Sequence, residues 1–302
     1  VTGVQTCALP ILAITAIFTL MFRERPGREA QQIHGNTRLE VIWRMIPVAI
    51  VVAMAVPTIS TIQTQAQPAP ADAMKVIAIG HQWWFEFQYP DLNITTANEL
   101  HVPEGKDIEF ALRSVDVIHS FWVPQLAGKV DMVPGHVNRL NTTALKARPE
   151  PYLGQCAEYC GMSHANMRLR VIADTPTDYQ AWVDRQLKPW SPEATKAFAP
   201  INAKWGCLGC HSADPKKPGS IAPNLTHLAD RCKFAAELYT LDEDNLTNWV
   251  HNAPGMKPFG PFAAAMPSFE EQGMSVQEAN DIAKFLLENT GTSGSVPPSE
   301  CN

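Results

Sequence analysis

At 302 residues the chain is long enough for two modest domains or one large one. Its apolar share of 45% is ordinary for a globular protein, and a net charge of −6 excludes the basic face that nucleic acid requires. The 25 prolines gather in stretches such as QPAPAD and KARPEP, which read as linkers and strand ends.

Residues 1–11, VTGVQTCALPI, resemble the translation of a sequencing-adapter oligonucleotide and are set aside, with Cys7, from fold reasoning. Residues 12–22, LAITAIFTLMF, are uncharged and apolar but too short to span a bilayer, and read as the remnant of a transmembrane helix. A stretch carrying Arg23, Arg25, Arg28 and Arg38 follows, and then a second span over 39–62. Its charges, Glu40 and Arg44, sit in the first two turns, and Pro47 and Pro57 are tolerable in a membrane helix. The arginines place the connecting loop in the cytoplasm and everything after Ile62 on the outer side of the bilayer.

Beyond a linker at 63–74 the period becomes two. In WWFEFQY, Trp83, Phe85, Phe87 and Tyr89 alternate with Trp84, Glu86 and Gln88, and DIEFALR alternates Ile108, Phe110 and Leu112 with its neighbours. RLNTTAL and MRLRVIA repeat the pattern, so 75–175 reads as an all-β sandwich or barrel. A second linker is expected over 176–199, followed by a small all-helical domain over 200–290. Ser275 and Glu278 form a capping-box pair ahead of Ala279, Ile282, Ala283, Leu286 and Leu287, with Gly291 as the stop. The tail, 291–302, reads as flexible.

Four of the seven cysteines form two close pairs, Cys156/Cys160 and Cys207/Cys210, each with a histidine nearby, which favours metal or haem chemistry over a disulfide framework. Cys232 and Cys301 are left over, and their spacing decides nothing about a disulfide. The segment QCAEYCGMSHANMR holds Cys156, Cys160, His164 and Met167 in one loop, with His119 upstream in DVIHSFW. Thiolate, imidazole and thioether together suit copper; a structural zinc site, the alternative, has no use for methionine. Further on, W-G-C-L-G-C-H contains Cys-x-x-Cys-His, the attachment pattern of a c-type haem, with Cys207 and Cys210 as thioether sites and His211 as an axial ligand. Met256, Met266 and Met274 are candidates for the other axial position, with His227 and His251 as outsiders. Met266, in AAAMPSF ahead of the final helix, is favoured, because proline stiffens its loop.

The blocks GHQWWFEFQYPD, DVIHSFWVPQLAGKVDMVPG and YLGQCAEYCGMSHANM resemble cytochrome c oxidase subunit II across 12–175, and 200–290 resembles a class I cytochrome c. The resemblance implies a membrane-anchored multidomain chain: a transmembrane helical hairpin, a cupredoxin-like sandwich and a cytochrome c domain. It further implies a dinuclear copper centre (CuA) bridged by Cys156 and Cys160, with His119, His164, Met167 and the Glu158 carbonyl as the other ligands. Trp83 would be where electrons arrive, although the second aromatic of the usual Q-W-x-W pattern is Phe85 here; a core tryptophan is the alternative. The Glu158 side chain would share a Mg2+ ion with subunit I, and Glu40 would sit at the mouth of that subunit's proton channel or be a solvated helix-end charge. The implied activity is that of a bacterial inner-membrane oxidoreductase subunit, a part of a proton-translocating cytochrome c oxidase. It would pass electrons from a donor cytochrome c or upstream complex through haem c and CuA to haem a in subunit I, beside a subunit III, on the periplasmic side. Two rivals are a CuA domain of nitrous oxide reductase, for whose propeller there is no room, or of a copper-dependent nitric oxide reductase, against which two membrane spans and a fused cytochrome favour the oxidase, and a copper-storage module, which has no use for a haem. Quinol oxidases, close relatives, lack the copper ligands.

Overall fold

The structure, a computed structural model, describes residues 3–27, 29, 34–142, 145–260, 263 and 265–291. It divides into two units, 1–64 and 65–302. Arg28, the expected tail after residue 291 and Cys301 lie outside the described residues, as does the side chain of Cys7.

The first unit is helical. Helix α1 runs from Gly3 to Met21 and α2 from Thr37 to Gln65. Helix α1 therefore passes straight through the segment set aside on sequence grounds, with Pro10 inside it, and its backbone continues across position 11. Helix α2 exceeds the expected 39–62 at both ends. Its start is fixed by Asn36, whose Oδ1 accepts from the amides of Arg38 and Leu39 at 3.1 and 3.2 Å. Pro47 and Pro57 lie inside it, and the hydroxyls of Thr58, Thr61 and Thr64 donate to carbonyls one turn back. Among the described residues α2 is the one helix long and apolar enough to cross a membrane, and its Leu, Ile and Val side chains stand exposed.

The second unit begins with a sandwich of two five-stranded sheets. Its strands are β1 Met74–His81, β2 Trp84–Tyr89, β3 Ile94–Ala97, β4 Glu99–Pro103, β5 Ile108–Ser114, β6 His119–Trp122, β7 Val130–Met132, β8 Asn138–Thr142, β9 Tyr152–Cys156 and β10 Arg168–Asp174. One sheet has the order β3-β2-β1-β5-β8 and the other β4-β10-β9-β6-β7. The two-residue period does what it implies: Ile108, Phe110 and Leu112 of β5 are fully buried, as are Phe85 and Phe87 of β2. They meet Phe121 of β6, which stands edge-on to Phe85 at 6.1 Å and packs against Phe110 at 5.1 Å. Phe121 is also the Cα partner of Cys156, so the packed core and the cysteine loop share one ladder.

The expected linker at 176–199 is largely helix. Helix α3 spans Pro176–Gln186 and α4 spans Pro192–Trp205. Each begins with a hydroxyl cap followed by proline: Thr175 accepts from the Asp178 amide and Ser191 from the Ala194 amide. The helical domain accordingly starts earlier than residue 200, with Trp190 and Phe198 in its core. It is not purely helical either, since Lys233–Phe234 (β11) pairs with Tyr239–Thr240 (β12). Helix α5, Glu243–Met256, leaves helical geometry at Asn252, two residues before Pro254, and continues to Met256. Helix α6, Val276–Asn289, opens with the expected Ser275–Glu278 capping box. Thr290 ends it in place of Gly291, its hydroxyl donating to the Leu286 carbonyl at 2.7 Å. Cys232 is disulfide-bonded.

Candidate functional site

The sulfur-rich loop lies between β9 and β10, beside the start of β6, so three adjacent strands deliver its side chains. Cys156 and Cys160 face each other at 3.7 Å Sγ–Sγ. Around them stand His119 Nδ1, 3.9 Å from Cys156 Sγ, His164 Nδ1, 3.5 Å from Cys160 Sγ, and Met167 Sδ, 3.9 Å from Cys160 Sγ. The Glu158 carbonyl accepts from Cys156 Sγ at 3.2 Å. All six groups singled out in the sequence therefore converge. Two thiols, two imidazoles, a thioether and a carbonyl form a mostly soft donor set that suits copper.

Asp116 was not singled out. Its Oδ1 bonds His119 Nε2 at 2.8 Å, leaving Nδ1 toward the sulfurs, and its Oδ2 accepts from the Gln82 amide at 2.6 Å. Burial opposes its charge, but His119 and the amides of Val117 and Gln82 hold its carboxyl below the ordinary range. Its only sequence signal is a carboxylate three residues before His119, a candidate ligand. Within the cysteine pair the thiolate falls to Cys156, whose pKa is lowered first by the Cys160 thiol and also by His119 and backbone groups, against burial.

The second centre is a cavity of about 320 Å³ with Cys207, Cys210 and His211 on its wall. Phe198, Leu225, Trp249, Phe269 and Ile282 make it apolar. His211 Nδ1 bonds the Pro223 carbonyl at 2.6 Å, which leaves Nε2 for a metal, and burial pulls its pKa down, keeping the ring neutral. Of the axial candidates, Met266 and Met274 line the cavity. Met274 is buried with its carbonyl accepting from His251, the Met256 carbonyl accepts from Tyr239, and His227 bonds the Gln186 carbonyl. An apolar cavity with a Cys-x-x-Cys-His wall and a preset imidazole fits a covalent haem.

Trp83 belongs to both centres. It lies in the turn between β1 and β2, is only 2% exposed and lines the same cavity. Its indole Nε1 donates to the Cys160 carbonyl at 2.9 Å, and Phe259 covers its ring at 6.0 Å.

Comparison with known proteins agrees. The profile for the transmembrane domain of cytochrome c oxidase subunit II matches residues 4–61, that for its periplasmic domain 92–174, and that for cytochrome c 200–290. Cytochrome c oxidase subunit 2 of Alkalihalophilus pseudofirmus is 34% identical over 279 residues, covering 88% of this chain and 80% of that one. The chain belongs to the cytochrome c oxidase subunit II family. The subunit 2 of Bacillus sp. strain PS3 is 31% identical over 88% of this chain and 79% of its own. The periplasmic domain of the Bradyrhizobium japonicum subunit II is 29% identical over 43% of this chain and 99% of that one, with a TM-score of 0.36.

As a subunit II with a cytochrome c domain, the chain is part of an oxidoreductase complex, and its two soluble modules imply copper and haem binding. The transmembrane profile and α2 make it membrane-anchored. Glu158 is exposed beside Tyr159, which is 76% exposed. Glu40 pairs with Arg44 at 3.6 Å within α2.

Proposed function

We propose that this chain carries electrons into a haem–copper oxidase, with a covalent haem c on Cys207, Cys210, His211 and Met266 and a dinuclear CuA centre on His119, Cys156, Glu158, Cys160, His164 and Met167. The observation that carries this reading is Trp83: one side chain lines the haem-type cavity and bonds the backbone of Cys160. When bound, the haem and the copper pair supply one-electron redox chemistry. The protein's part is to hold both in a rigid frame, so that little reorganises when an electron moves, and to exclude water between them. Electrons from a donor cytochrome c or upstream complex pass by way of this cavity and Trp83 to the copper ligands, and on to haem a of subunit I. There O2 is reduced to water with proton pumping.

Several finer assignments belong to the same reading. The exposed Glu158 side chain shares a Mg2+ ion with subunit I, Glu40 stands at the mouth of its proton channel, and subunit III completes the complex. The soluble modules lie on the periplasmic side of a bacterial inner membrane. Metal and haem analysis of the full chain tests the core of it. Cys160→Ser should abolish the mixed-valence copper signal in electron paramagnetic resonance while the covalent haem remains, because a hydroxyl is a poor soft bridge. One zinc and no copper in the intact chain would overturn it. Met266→Ala should remove the weak sulfur–iron absorption band, and Met256→Ala should leave it; the reverse pattern moves the ligand to Met256.

A further inference from the structure

Lys257 follows α5 and enters the wall of the haem-type cavity beside Trp83 and Phe259. The residue is 3% exposed, although its side chain ends in an ammonium. That ammonium donates to the Trp83 carbonyl at 2.7 Å and to the Ala235 carbonyl at 3.3 Å. An ammonium can donate three times, and both partners are neutral. Among the described residues no ion pair includes Lys257, whereas Arg231, a half-buried cation on the same wall, is influenced by Glu99, Asp230 and Glu237. A buried cation hydrogen-bonded only to carbonyls is costly, and burial pulls the Lys257 pKa down to about 7, against the opposing pull of Cys160. The group that a Cys-x-x-Cys-His cavity takes carries two carboxylates, its only anionic substituents.

We propose that Lys257 is a positioning residue for electron transfer between the two soluble modules: its ammonium binds a carboxylate of the haem while bonding the Trp83 carbonyl, and so seats the haem against the backbone that carries the copper ligands. The proposal rests on the reading of this cavity as a haem c site. The transfer moves one electron, oxidising ferrous iron and reducing the copper pair, and Lys257 neither gives nor takes a proton. The same side chain thus ties the cavity to Trp83, whose indole in turn bonds the carbonyl of Cys160.

The test uses the full chain with Lys257→Met, which keeps the length and removes the charge, and Lys257→Arg, which keeps the charge. Redox-difference infrared spectra report the haem carboxylates directly. Lys257→Met should shift their stretching band and lower the haem potential. Haem-to-copper transfer after a flash should slow by about tenfold, the scale of losing one charge-assisted hydrogen bond. Copper and haem optical spectra should stay as in wild type, and Lys257→Arg should bring the carboxylate band and potential back toward wild type. A folded Lys257→Met chain with an unchanged carboxylate band and potential would overturn the proposal, even if transfer slowed, because Lys257 would then be only a clamp between Trp83 and Ala235. Where the Met variant does not retain haem, Lys257→Gln is read the same way. A pyridine haemochrome assay showing no covalent haem in wild type would instead overturn the cavity assignment beneath it.

Discussion

At His119 the two ring nitrogens have separate partners, and the division decides what the ring can do. Nδ1 faces Cys156, while Nε2 is held by a carboxylate that also receives the Gln82 amide next to Trp83. Asp116 therefore orients His119, a proposed copper ligand, and braces the turn that presents Trp83. Asp116→Asn keeps the shape but removes the charge, and should weaken copper binding by about 10–100-fold, the usual cost of losing such a support. Competition against a calibrated copper chelator measures it; wild-type affinity in the variant would show that His119 needs no help. The contrast with the proposed copper ligands is instructive. Cys156, Cys160, His164 and Met167 were legible because one short loop carries them, and their chemistry is written in residue type. Asp116 and Lys257 were not, because aspartate and lysine are common, and their importance comes from which atoms meet after folding, for Lys257 across 174 positions.

Elements were legible where a local rule acted alone. The buried alternation of β5 and the capping box of α6 both follow from spacing, and both formed. The stretch at 176–199, expected as a linker, is largely helix because after a hydroxyl cap a proline starts a helix. Hairpin β11–β12 has two-residue strands, too short for any period, and its turn holds Ala235, Ala236 and Glu237 at positive φ, which tertiary contacts must impose. In the copper loop the glycine after Cys160 matters as backbone. Gly161 has a φ of +115°, and a Cβ there would lie 2.9 Å from the Trp83 ring. That ring is packed and cannot yield cheaply. Gly161→Ala should cost about 2–5 kcal/mol, from backbone strain of about 1–2 and overpacking of about 1–3, and should perturb the copper spectrum. Thermal unfolding of the copper-loaded chain checks this, and wild-type stability with a wild-type spectrum would mean that the loop is softer than its contacts imply.

At the scale of the whole soluble unit, the cytochrome module is held on the sandwich by more than Lys257. The Ser163 hydroxyl donates to the Pro258 carbonyl, and the Cys232 amide donates to Glu99 at 3.3 Å. Arg170 of β10 bonds Glu237 of the β11–β12 turn and lies 4.0 Å from Glu99. The groups acting on Glu237 are Glu99, Arg170 and Lys233, and Glu237 in turn influences the half-buried Arg231. Burial first, then repulsion from Glu99, pushes the Glu237 pKa up to about 7 from an ordinary 4.5, against the pull of Arg170. A carboxylate raised in the docked state binds more protons there than in the separated modules between those two values. The contribution of Glu237 to docking should therefore fall as pH rises from about 4.5 to about 7 and stay level above that, by an amount on the order of a few kcal/mol. Lys257, with a pKa near 7 when docked and higher when exposed, is mostly protonated in both states below pH 7, so it does not compete over this window. Calorimetric scans of the full chain between pH 5 and 8 read the module-separation transition, and the difference between wild type and Glu237→Gln isolates this one proton from all other acids. The transition should move down with rising pH more steeply in wild type than in Glu237→Gln. If the two slopes coincide, Glu237 stays ionised throughout as an ordinary partner of Arg170, and its proton plays no part in the contact between the modules.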